Sequence, residues 1–378
     1  MAVPEPPFTV GIEEEYLLVE RETGELATDP PDEIFDACER RCPGQVSPEY
    51  MRCQIEVGTR VCRTISEARA DLARLRSTIV EVAEGYGLAP IAASSHPFAK
   101  WESQKHTPRE RYQELALEMQ AAARRMLISG MHVHVGINDD ELRIDLMNQL
   151  SYFLPHLLAL STSSPFWNGE NTGLSSYRLT VFDALPRTGL PERFSSYAEY
   201  QRHVQILIDA KLIQDSSKIW WDLRPSARYP TLETRVMDVC TRLDDALTLA
   251  ALVVCLLRML YRLRLDNQRW RQYTQMLINE NRWRAMRYSF DEGLIDLARG
   301  EVIDFDVILA EIMSLIEEDA AALGCIEEIA RLPKILSAGT SAHRQIEAYE
   351  SARAAGKSRE EALQAVVNYL VATTQAGY

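Results

Sequence analysis

The stretch Thr9-Val10-Gly11-Ile12-Glu13-Glu14-Glu15-Tyr16-Leu17-Leu18-Val19 decides how this 378-residue chain is read. Taken as a strand, it alternates sides, so Glu13 and Glu15 share one face while Val10, Ile12, Tyr16 and Leu18 mark the other. The same parity recurs further along. In the candidate strand Met51–Thr59, residues Met51, Cys53, Ile55 and Val57 are apolar and Arg52, Gln54 and Glu56 oppose them. In Met131–Ile137, His132 and His134 face away from Met131, Val133 and Val135; in Thr231–Val239, Glu233 and Arg235 point together. Leu88–Ala93 and Ile219–Leu223 are two further candidates. One face of such a sheet is apolar and packs on helices. The other gathers carboxylates, imidazoles and guanidiniums. Antiparallel sheets do turn polar faces to water, but a solvated face typically carries Lys, Thr and Ser, and these four positions sets carry no Lys.

Helices surround these strands. Thr64 to Gly85 opens on a capping box (Thr64, Glu67) and repeats Ala68, Leu72, Leu75, Ile79 and Val82 at helical spacing. Residues 109–127, 140–160, 197–212 and 243–263 read as further helices. Beyond residue 270 the chain reads as almost wholly helical, ending in Ser358–Thr373 with a second capping box (Ser358, Glu361). No GxGxxG or GxxxxGK[ST] turn follows any strand, which disfavours a doubly wound parallel sheet and favours α+β.

Composition narrows the partners. Lys plus Arg number 41 and Asp plus Glu 55, a formal net charge of −14 that argues against nucleic acid or an anionic membrane as main partner. The start, Met1 to Pro7, lacks a basic region and an apolar stretch, so no secretory signal is expected. The longest apolar run, Ala246 to Leu257, is too short to span a bilayer. Seven scattered cysteines make a poor disulfide framework, and the Cys38/Cys42 pair has no zinc partners; a reduced, cytoplasmic protein is expected.

Carboxylates gathered on one face repel one another, and burying them unpaired is costly. Divalent cations resolve that conflict: Glu oxygens with one His and open positions suit Mg²⁺ or Mn²⁺. His132 and His134 lack the third His or the HExxH of a dedicated zinc site, and parity leaves open which of them meets metal. Arginines interleaved among such metals suit phosphate or carboxylate groups, and the combination suggests phosphoryl transfer.

At these residues the sequence resembles the carboxylate–amine ligase family, glutamate–cysteine ligase type 2, within the glutamine-synthetase-like superfamily. The resemblance is an ordered series over roughly residues 8 to 290: GIEEEYLLV, PEYMRCQIEVGTRVCRT, SSHPFAKW, GMHVHVG, SSPFWNGENTGLSSYR, IWWDLRPSARYPTLETRVMD and NENRWRAMRYSFDEG. It implies a curved, largely antiparallel sheet with helices on its outer face, a concave side that holds ATP and divalent metal, and a helical C-terminal region. One catalytic domain would span 1–378, with residues 291–378 its C-terminal part. The implied reaction activates an amino-acid carboxylate, glutamate in the family's namesake activity, as an acyl phosphate, from which an amine, that of cysteine, displaces phosphate to form an amide. Alternatives are a metal-dependent phosphotransferase like the guanidino kinases and a degenerate homologue that only binds nucleotide or amino acid.

Residue by residue, the resemblance implies Glu13, Glu15, Glu49, Glu56, His132 and Glu233 as metal ligands, with His132 also near the nucleotide. It places Arg235 on the transferring phosphoryl or the substrate carboxylate, and Arg178 as a clamp for the amino acid. Asn281, Arg282 and Arg287 would complete the nucleotide site from a helix. Where the family often reads GRDTG, this chain has Gly169-Glu170-Asn171-Thr172-Gly173, so one basic contact is missing. A homodimer is implied by the resemblance alone.

Overall fold

The computed structural model describes residues 5–377; Met1 to Pro4, part of the N-terminal reading above, lie outside the described residues. Seven strands form the main sheet: β1 (Val10–Glu20), β2 (Val46–Pro48), β3 (Gln54–Gly58), β4 (Leu88–Ile91), β5 (Met131–Gly136), β6 (Leu223–Pro225) and β7 (Thr231–Thr234). Their order is β6-β7-β5-β1-β3-β2, every pairing is antiparallel, and β4 also pairs with β1. β1 is long enough to hold β3 along one edge and β5 then β4 along the other. The sheet is open, with helices and a helical C-terminal region around it, as the sequence leads one to expect.

The convex face carries the main core. Val10, Ile12, Tyr16, Leu18, Ile55, Val57, Met131, Val133, Val135 and Leu232 pack there with Leu72, Leu75 and Ile79 of α1 (Ile65–Glu84) and Leu249, Leu252 and Val253 of α2 (Leu243–Leu265). Thr64 caps α1 by accepting the Glu67 N–H at 3.1 Å. By length and composition α2 is apolar enough to cross a membrane, but its most apolar window is 83% buried at the centre of the fold. All seven cysteines are buried and free.

The other face is polar only along part of its length. Beyond Glu15, the same-face residues Leu17 and Val19 join Met51, Cys53, Ala89 and Ile91 in a second core. That core is closed by Val366, Val367 and Leu370 of a C-terminal helix, Arg359–Thr374. Part of the helical tail therefore covers the sheet. Two strand expectations shift with this. The 51–59 strand begins only at Gln54, so Arg52 leaves the polar face and pairs with Asp29 and Asp32 (2.5 and 2.9 Å). The 231–239 strand stops at Thr234, where the Asp222 carbonyl accepts both the Arg235 and Val236 N–H groups (2.7 and 3.2 Å). The C-terminal region is almost wholly helical, as expected, with one hairpin that pairs Leu294–Asp296 with Glu301–Ile303.

Candidate active site

The cross-strand register assembles the site. Residues directly opposite each other share a face, and the pairs are Arg224 with Glu233, Glu233 with His134, His132 with Glu13, and Glu15 with Glu56. One polar band thus crosses β6, β7, β5, β1 and β3. Two groups of donor atoms stand out along it, each within 4.8 Å: Glu13, His134 and Glu233, and Glu15, Glu49 and Glu56. Glu49 reaches the second group from the loop after β2. His132 stands between the groups, its Nδ1 at 3.2 Å from Glu13 Oε2 and its Nε2 at 4.0 Å from Glu15 Oε1.

The two groups differ electrically. Burial alone would raise Glu13, but the hydrogen bond from His132 and the neighbouring His134 ring outweigh it and hold the carboxyl well below the usual range. Burial is likewise outweighed at Glu233, by the charges of Arg235 and Arg224, so it too is held low. In the second group nothing comparable compensates. Burial and the Glu49 charge push Glu15 up to about 8, and burial with Glu49 and Glu13 pushes Glu56 well above the ordinary value. Three carboxylates so placed resist ionising together unless a cation joins them.

His134 is the residue that sequence parity could not single out. Its Nδ1 is engaged by Thr231 Oγ1 at 2.9 Å. Its Nε2 is buried, makes no hydrogen bond and faces Glu13 Oε1 at 3.4 Å. An orphaned imidazole nitrogen between two ionised carboxylates, next to a repelling carboxylate trio, fits divalent cations on the donor chemistry of both groups. Burial lowers His134, but Glu13 and Glu233 overcome that and raise it above the ordinary imidazole value. His132 is pushed down to about 4 by burial and the Arg235 charge, which leaves it neutral.

The arginines divide by what they already hold. Arg235 pairs with Glu233 and keeps its buried Nε unpartnered. Arg224, which sequence reasoning missed, grips the same carboxylate (Nε to Oε2, 2.9 Å) and the Ser217 and Ile219 carbonyls. Arg178 is 3% exposed and spans the Arg235 and Val236 carbonyls (3.2 and 3.4 Å), its guanidinium lying against Gly130. The Gly130 N–H in turn donates to Glu15 Oε2 at 2.8 Å. Behind Arg178, buried Asp238 accepts from Ser163 N, Ser164 Oγ and Ser176 Oγ (2.8, 2.8 and 2.9 Å), tying the two serine-rich loops to the site.

The helix α3 (Gln275–Tyr288) carries the three remaining positions. Arg282 bonds Asp222 through Nε (2.7 Å) and Asp183 through both terminal nitrogens (2.7 and 2.9 Å). Asn281 makes a two-point bond with the Ile295 backbone (2.8 and 2.7 Å), anchoring the hairpin. The structure does not bring either side chain's polar atoms free into the band. Arg287 is exposed and holds the Gly173 carbonyl, so the loop without the expected basic residue is gripped by an arginine from α3.

Comparison with known proteins agrees with this architecture. The family model for glutamate–cysteine ligase family 2 matches residues 9–369. A protein of Rhodospirillum rubrum named "Putative glutamate--cysteine ligase 2" is 60% identical over 376 residues, covering 98% of this chain and 97% of its own. A protein of the same name from Herpetosiphon aurantiacus is 43% identical, covering 99% and 95%. Among solved structures, glutamate–cysteine ligase of Francisella tularensis in complex with AMP superposes with TM-score 0.69 at 14% identity, covering 100% of this chain and 91% of that one. The bifunctional glutathione synthetase of Pasteurella multocida gives 0.67 at 16% identity; this chain spans about half of its length. The chain belongs to glutamate–cysteine ligase family 2, and its chemistry is that of an ATP-dependent carboxylate–amine ligase.

Proposed function

We propose that the protein joins the γ-carboxylate of glutamate to the amine of cysteine, through an acyl phosphate made at the expense of ATP. The observation that carries this reading is the pair of acidic groups on one sheet face, flanked by arginines, which suits a nucleotide triphosphate and an amino acid meeting over divalent metal. Mg²⁺ or Mn²⁺ would be held by Glu13, Glu233 and one or both of His132 and His134, and by Glu15, Glu49 and Glu56, and would supply neutralisation of phosphate charge. Arg235, with its free Nε, is the residue we assign to the transferring phosphoryl. Glu233 and Arg224 hold that guanidinium in place. Arg178 positions the 235–236 backbone and adds positive charge beside Glu15. Arg282 acts one step removed, fixing Asp222, whose carbonyl sets the turn at Arg235. Asn281 anchors the hairpin, and Arg287 shapes the 169–173 loop at the mouth of the site. We assign these functions to one catalytic domain acting as a cytoplasmic homodimer.

ADP release with Mg²⁺ and ATP, screened over an amino-acid panel, tests the reaction. Release should require both a carboxylate and an amine and should yield an amide; release with a phosphorylated acceptor and no amide would instead mark a phosphotransferase. Gly130→Ala tests the Arg178 assignment. An added Cβ would lie 2.4 Å from Arg178 Nη2 and 2.9 Å from Cζ, so the guanidinium must give up its carbonyls. Turnover should fall about tenfold or more through mispositioning, with a stability loss of about 1–3 kcal/mol from overpacking.

A further inference from the structure

The polar band does not end at the acidic groups. On β7 the face that holds Glu233 continues back to Thr231, whose hydroxyl holds His134. Two residues before Thr231, at the hairpin that enters β7, stands Tyr229. It is 57% exposed, yet its ring sits edge-on to the His134 ring, with centroids 6.2 Å apart at 86°. Its backbone is held, the carbonyl accepting from Thr231 N at 2.7 Å. A solvent-exposed aromatic ring thus stands at the outer end of a metal- and phosphate-suited band. Tyr229 is separated from Glu233 by two strand steps of about 3.3 Å each and the turn over Pro230.

We propose that Tyr229 is the stacking platform for the nucleotide base, so that ATP lies along β7 with its phosphates toward Glu233 and Arg235. This rests on the ligase reading and adds to it the direction in which the nucleotide enters the site. His134 braces the ring from one side. Stacking on one aromatic face tolerates any base but rewards the larger purine surface, so ATP should be preferred over pyrimidine triphosphates.

The test compares ATP with inorganic tripolyphosphate, which has the phosphates and no base, by calorimetry on the full chain with Mg²⁺. Tyr229→Ala should weaken ATP binding and raise KM for ATP by about 5- to 50-fold, the range expected for one lost base stack. Tripolyphosphate binding, KM for the amino acids and the melting temperature should stay within twofold or a degree or so of wild type. Tyr229→Trp should restore ATP affinity. An equal loss for ATP and tripolyphosphate would overturn the platform, showing that Tyr229 acts by propping His134. Unchanged ATP affinity in Tyr229→Ala, with wild-type binding intact, would overturn it too and leave the ligase assignment standing. Wild-type protein that binds tripolyphosphate and ATP but releases no ADP with any amino-acid pair would overturn the ligase reading alone.

Discussion

Replacing Arg76 by methionine is expected to cost about 3–5 kcal/mol of folding stability, the usual penalty for removing one partner of a buried ion pair. Arg76 is 1% exposed and Glu14 is fully buried, on the convex side of β1. The guanidinium donates to both Glu14 oxygens (2.9 and 2.6 Å) and to the carbonyls of Thr241 and Cys240 (2.9 Å each). The Tyr16 hydroxyl adds a further bond to Glu14. Without Arg76 a carboxylate is stranded in a hydrophobic core, and the segment leading into α2 loses its tie to α1. The double variant Glu14→Leu/Arg76→Met removes both charges and should recover a substantial part of the loss, because two apolar side chains of similar bulk suit that core. Denaturation midpoints of the three proteins decide it. A single variant within about 1 kcal/mol of wild type would show the pair to be dispensable. The double variant should fold yet turn over slowly, since Glu14 lies between Glu13 and Glu15 and its anchor sets their position on the opposite face.

That network shows what was legible in the sequence and what was not. Alternation placed Glu13 and Glu15 together because a period of two is a property of the strand itself. The same rule puts Glu14 among Ile12 and Tyr16, on the face that packs against helices, but it offers no partner. The partner lies 62 residues away on α1, where Arg76 interrupts a stripe of Leu72, Leu75 and Ile79. A charge inside an apolar stripe was the available signal. Parity also failed where strands end. Met51 and Cys53 alternate as if in β3 but precede it, and they fill the second core instead. His132 and His134 are equivalent by parity; only the register, with Thr231 engaging one ring and Glu13 the other, separates them. On α3, helical spacing presents Asn281 and Arg282 as functional charge and amide. Their bonding partners, Ile295, Asp183 and Asp222, come from three remote segments that no local pattern connects.

The two acidic groups should answer pH and amide substitution in opposite directions when metal is absent. Glu15 has its proton held up to about 8, against an ordinary 4.5, because burial and Glu49 disfavour the charge. The native state therefore binds that proton more tightly than the unfolded chain does. Its contribution is complete below about pH 4.5 and is lost as pH rises through 8. Glu13 and Glu233 are held low, so their contribution is present above pH 4.5 and is lost as acid protonates them. Glu15→Gln or Glu56→Gln should accordingly raise the melting temperature of metal-free protein at pH 8.5 by about 2–4 °C, the shift that roughly 1 kcal/mol produces in a large chain. Glu233→Gln should lower it at pH 7, because Arg224 and Arg235 are then buried without their shared counter-charge. Adding Mg²⁺ or Mn²⁺ at about 100 times its Kd should stabilise the wild type by about 2.7 kcal/mol. The gain should be larger at pH 8.5 than at 5.5, where protons compete for the same oxygens. Every one of these substitutions should reduce turnover by about 100-fold or more, since each removes charge from where phosphate charge develops. Activity alone therefore cannot tell the groups apart, whereas the sign of the melting shift can. If Glu15→Gln destabilises metal-free protein as Glu233→Gln does, the carboxylates of the second group do not repel one another, and nothing in their chemistry would call for a cation.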